Sequence, residues 1–109
     1  MSRKAARTYF YALIFAVLNL STVSSWAQSP AESLFKSKCA ACHGADGQGE
    51  VPMGKKLGAH NLKSPEVQSR SDAELTAAIN KGQNKMPAYG GKLTPDQTND
   101  LIKYIRSLK

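Results

Sequence analysis

The only two cysteines of this chain, Cys39 and Cys42, are separated by two residues, and His43 follows directly. That spacing limits what can hold the fold together. A disulfide between them would close a loop too short to restrict the unfolded chain to any useful extent. The chain has 109 residues, and its first 27 read as a leader, which leaves residues 28–109 as the folding unit. A unit of that size buries a modest apolar area and usually needs a staple. With a disulfide set aside, a bound group is the open possibility. The length also excludes a multidomain enzyme, a repeat array and a polytopic membrane protein.

The leader has three parts: a basic start with Arg3, Lys4 and Arg7, an apolar run from Tyr9 to Leu20, and a polar end at Ser25-Trp26-Ala27. Small residues at Ser25 and Ala27 place cleavage after Ala27. The apolar run is about 12 residues against the roughly 20 that a spanning helix requires, so export is expected and no membrane span remains after cleavage. No cysteine closely follows the run, which argues against a lipid anchor. The bacterial periplasm is the expected compartment. Cleavage removes three of the 15 basic residues and none of the 8 acidic ones, so a net charge of +7 becomes +4. The remaining lysines form no dense run and no aromatic residues are interleaved with them, so nucleic acid is not an expected partner.

Helix starts are clearly marked. Ser29-Pro30-Ala31-Glu32 supplies an N-cap, a proline at the first helical position and an acid at the third, and predicts a helix over 30–41. Ser64-Pro65 opens a short helix to Ser69, and Ser71-Asp72-Ala73-Glu74 opens another that carries Leu75, Ala78 and Ile79 on one face and stops at Gly82. Thr94-Pro95-Asp96-Gln97 repeats the device, and Leu101, Tyr104, Ile105 and Leu108 recur at helical spacing over 95–108. Between them lie two Gly-rich connections, 44–62 and 82–93. No stretch alternates with the period of a half-buried strand, so an all-α fold is expected. Connections that long need something to pack on.

Cys39-Ala40-Ala41-Cys42-His43 offers two thiols that can reach the vinyl groups along one side of a haem, and an imidazole for its iron. Covalent attachment of one haem c is the chemistry this pattern fits. A thioredoxin-like dithiol would be expected beside a βαβ pattern, which is missing. A zinc site could draw on Cys39, Cys42, His43 and His60, but neighbouring Cys42 and His43 rarely face one tetrahedral metal together.

From Glu32 to Leu108 the sequence resembles the class I c-type cytochromes, in particular the small single-haem bacterial and photosynthetic members. The resemblance rests on the C-A-A-C-H motif, on Met86-Pro87 within 80–93, and on the last helix with Tyr104. It implies a compact fold of three main helices plus a short helix wrapped around one covalently bound haem. It also implies that Met86 is the second axial ligand opposite His43, that the Pro52 carbonyl accepts the His43 N–H, and that Phe35 and Tyr104 pack the first and last helices across one another. A thioether on a segment clipped by Pro87 suits the distal position, and a soft sulfur ligand favours ferrous iron. Met53 lies only ten residues from His43 and reads as a loop packing residue. His60 reads as a partly exposed loop residue, although as a ligand it would give a bis-His site. Leu57, Leu62, Leu75, Ile79, Tyr89 and Leu93 are the expected haem walls.

With both axial positions filled, no site is open to substrate, and the expected function is one-electron transfer between periplasmic redox proteins by a monomeric carrier rather than an enzyme. Lys55, Lys56, Lys81, Lys85 and Lys92 fall in or beside the two connections and could steer an acidic donor or acceptor. A haem enzyme or ligand sensor would require Met86 to leave the iron.

Overall fold

Residues 27–109, the part of the chain that the computed structural model describes, form six helices, five of which open at a proline or a Ser cap. They are α1 (Pro30–Lys38), α2 (Ala40–His43), α3 (Pro52–Leu57), α4 (Pro65–Gln68), α5 (Asp72–Lys81) and α6 (Pro95–Ser107). Among the described residues there is no strand, only two isolated bridges at turns. Residues 1–26 of the expected leader, with its apolar run and Trp26, lie outside them.

Each expected cap is in place. Ser29 accepts from the Glu32 N–H and Ser64 from the Val67 N–H. Ser71 with Glu74 and Thr94 with Gln97 form complete capping boxes, each joining a side chain to a backbone N–H in both directions. Two differences from the sequence reading concern the first half of the domain. The helix expected over 30–41 breaks at Cys39, whose φ of −113° lets α2 start anew, so Cys42 and His43 sit on a separate short helix capped by Cys39. The first connection also contains α3, which begins at Pro52 after a Val51 that caps nothing with its side chain. Its Met53, expected to pack a loop, is 49% exposed on that helix.

The core collects where α6 crosses α1 and α5. Phe35, Leu62, Val67, Leu75, Ile79, Leu101, Ile102 and Ile105 are buried together. Phe35 and Tyr104 meet with ring centroids 5.1 Å apart and planes tilted by 51°, which joins α1 to α6 as the resemblance implies. Arg106 ties the other side: its guanidinium donates to the carbonyls of Gln68 and Arg70 and to the Asp72 carboxylate, fastening the α4–α5 turn onto α6. Gln68 adds bonds to the Leu62 and Ile105 carbonyls. With its back fixed in this way, the domain presents α2, α3 and the 83–89 segment on one side.

Candidate functional site

Cys39 and Cys42 face this side from the α1–α2 junction, neither bonded to the other. Burial and the neighbouring Cys42 push the Cys39 thiol up to about 11. His43 ends α2, and its Nδ1 lies 3.0 Å from the His60 carbonyl oxygen. A carbonyl can only accept, so Nδ1 carries the proton and Nε2 keeps its lone pair. Burial lowers the His43 pKa, partly offset by this bond, which keeps the ring neutral and able to coordinate.

The acceptor is therefore His60, not Pro52 as the resemblance implied. Pro52 heads α3 on the exposed surface and lines neither cavity described below. The intervening chain is drawn inward instead: Gly49 N–H donates to the His43 carbonyl and Ala59 N–H to the Gly54 carbonyl, which leaves the His60 carbonyl facing the imidazole. Gly54 makes this possible. It is buried against α2, where a Cβ would collide with the Cys42 and Gly49 carbonyls.

Met86 arrives from the opposite side on a tight turn. Gln83 and Met86 exchange backbone hydrogen bonds of 3.2 and 2.9 Å, and Asn84 takes the left-handed φ of 52° that its short side chain tolerates. Gly82 precedes the turn at φ 73°, where a Cβ would come within 2.6 Å of the Met86 carbonyl oxygen. Tyr89 and Gly90 then bond back to the Ile79 and Asn80 carbonyls, anchoring the segment to the end of α5.

Between the two sides lies a cavity of about 620 Å³, counting space open to solvent, lined by Cys39, Cys42, His43, Leu57, Tyr89 and Met86, with Lys38 and Lys85 among its remaining walls. A second cavity of about 610 Å³ shares Cys39, His43, His60, Gln83 and Met86 and reaches inward to Leu62, Leu75, Ile79 and Phe35. Two thiols on one wall, an imidazole with a free Nε2 and a thioether across an apolar space are a donor set that fits haem c. Leu93 lies apart from both, lining a groove between α5 and the start of α6, because the Gly90–Gly91 turn carries the chain away. Lys38, Gly58, Ala59, Gln83 and Asn84 line the first cavity without having been singled out from sequence. His60 does line both cavities, yet what it offers His43 is its backbone, which no side-chain motif could reveal. Among the described residues no group of three or more His, Cys, Asp or Glu converges as a zinc site requires.

The comparisons with known proteins agree in kind. The family model described as cytochrome C oxidase, cbb3-type, subunit III matches residues 27–105. The cytochrome c6 of Porphyra purpurea is 31% identical over 106 residues, covering 96% of this chain and 94% of that one. The cytochrome c6 of Synechococcus sp. is 30% identical over 101 residues, covering 85% and 88%. Among solved structures, the KustC0563 c-type cytochrome superposes with a TM-score of 0.67 at 32% identity, over 72% of this chain and 96% of that one.

Proposed function

The chain belongs to the small class I c-type cytochromes, and we propose that it carries one electron at a time between periplasmic redox proteins, using a single haem c. The observation that carries this reading is one apolar cavity walled by Cys39, Cys42, His43 and Met86. Haem c, when bound, supplies a ferric/ferrous couple.

The residues divide the work around it. Cys39 and Cys42 would hold it by thioether links, which prevent loss of the group in an exported protein. His43 would hold the iron through Nε2, its ring orientation and basicity fixed by the bond from Nδ1 to His60. Met86, across the cavity from His43, would hold the iron as a soft thioether, which favours the reduced state. Leu57, Leu62, Leu75, Ile79 and Tyr89 exclude water, while Leu93 serves the helix packing behind. With His43 and Met86 both committed to holding the haem, no protein-free position would be left for a substrate, and the chain would act as a carrier. In this reading residues 1–27 direct export and are removed, and the mature protein 28–109 acts as a monomer in the periplasm.

Docking falls to the lysines at the mouth. Lys85 and Lys38 line the cavity, and both side chains are exposed. Of the other expected members, Lys55 is paired with Glu50 at 3.3 Å, and Lys92 lies 5.9 Å from the Tyr89 ring centroid. Lys56 and Lys81 are exposed. A positive rim of this kind steers encounter with an acidic surface on the donor or acceptor.

The test is export with the haem-attachment machinery, followed by haem staining of the denatured protein and a redox titration. Covalent haem in the wild type, its loss in the double variant Cys39→Ser, Cys42→Ser, and a one-electron Nernst curve are expected. A colourless protein with two titratable thiols would contradict the reading, as would carbon monoxide binding readily to the reduced form.

A further inference from the structure

The break between α1 and α2 has a consequence for the opposite wall of the cavity. In a continuous helix the Cys42 N–H would bond to the Lys38 carbonyl four residues back. Here it turns to the Cys39 carbonyl at 3.2 Å, and the His43 N–H bonds to that same oxygen at 2.9 Å. The Lys38 carbonyl is thus released at a helix end, where such groups need another donor. Tyr89 supplies it: the hydroxyl donates to the Lys38 oxygen at 3.0 Å, across 51 positions of sequence. The backbone of Tyr89 is bonded to Ile79 and its ring is covered by the Lys92 ammonium, so the side chain is braced at both ends. It stands three residues beyond Met86 and lines the same cavity.

We propose that Tyr89 is a positioning residue for Met86: by capping the released Lys38 carbonyl, its hydroxyl latches the 83–89 segment to the cysteine-bearing junction and holds the thioether over the cavity. The latch rests on the reading of Met86 as the distal ligand. Without the hydroxyl, the segment keeps its backbone bonds to α5 but loses its tie to α1. Met86 then yields more readily to an added ligand.

The experiment is a titration of the ferric holoprotein with imidazole, which competes for the distal position, in wild type, Tyr89→Phe and Tyr104→Leu. The last variant weakens the α1–α6 packing without touching the 83–89 segment. Loss of one neutral hydrogen bond predicts an imidazole association constant about two- to tenfold higher in Tyr89→Phe. Tyr104→Leu should melt earlier and bind imidazole as the wild type does. If Tyr89→Phe binds like wild type while the red thioether-to-iron absorption band is present, the latch is wrong and the Met86 reading stands. An equal gain in Tyr104→Leu means general loosening and also overturns the latch. Absence of the red band in the wild type removes the Met86 reading, and the latch with it.

Discussion

His43 donates through Nδ1 to the backbone carbonyl of His60, 3.0 Å away and 17 positions later in the sequence. The bond fixes the tautomer and the plane of the proximal ring, and a backbone acceptor makes it independent of the side chain at position 60. His60→Ala is therefore expected to leave the visible spectrum and the reduction potential close to wild type. Pro52→Ala should do the same, since Pro52 lies off both cavities. A changed ligand spectrum in His60→Ala would give its imidazole a role at the iron.

Gly54 is the tightest contact beneath the site. A methyl group there would overlap the Cys42 and Gly49 carbonyls, and backbone cannot give way as a flexible side chain can. Gly54→Ala should cost about 1–3 kcal/mol or more by overpacking and reduce the yield of haem-loaded protein. Denaturant unfolding of the purified variant measures it. Wild-type stability would show that α3 can move off α2 freely.

Tyr104 contributes to the frame rather than to the chemistry. It packs on the fully buried Phe35 and lines neither cavity. Tyr104→Ala should lower stability by about 2–4 kcal/mol, part area and part aromatic pairing, with the reduction potential unchanged. A large shift in potential at unchanged melting would refute that assignment.

The α5 capping box gives the fold a pH signature. Glu74 accepts the Ser71 N–H at 2.7 Å, and hydrogen bonding to Ser71 holds its carboxyl below the ordinary value. Because the folded pKa is depressed, the contribution is complete above the unfolded pKa of about 4.3 and is lost as pH falls through the folded value. Glu74→Gln keeps the hydrogen bond without the charge. Its deficit in urea midpoint against wild type should be largest near neutrality and shrink from about pH 5 downward. A deficit that is constant with pH would mean that the charge of Glu74 contributes nothing.

Much of this architecture is legible in sequence because caps are local. Ser29, Ser64, Ser71 and Thr94 each announce a helix within four residues, and the stripe from Leu101 to Leu108 announces which face of α6 is buried. Cys39, Cys42 and His43 could be singled out from the C-A-A-C-H spacing, and Met86 because Met86-Pro87 resembles the family's distal segment. What stayed hidden depends on tertiary geometry. Nothing in Lys38-Cys39-Ala40-Ala41 marks a helix break, since alanine is the best of helix formers. Pro52 follows a valine that caps nothing, so the start of α3 was marked by its proline alone, without a capping side chain. The His60 and Lys38 carbonyls belong to the backbone, and no residue type betrays a backbone acceptor. Leu93 was misplaced because a glycine turn, not apolar character, decides which way that segment faces.

Whether Met86 closes the distal side of the site opposite His43 is read from the ferric visible absorption of the exported holoprotein. A c-type haem spectrum with the weak red band of sulfur-ligated ferric iron is expected, with the band lost in Met86→Ala while haem remains covalently attached through Cys39 and Cys42. A covalent haem spectrum without that band in the wild type, or with the band surviving in Met86→Ala, would contradict closure by Met86.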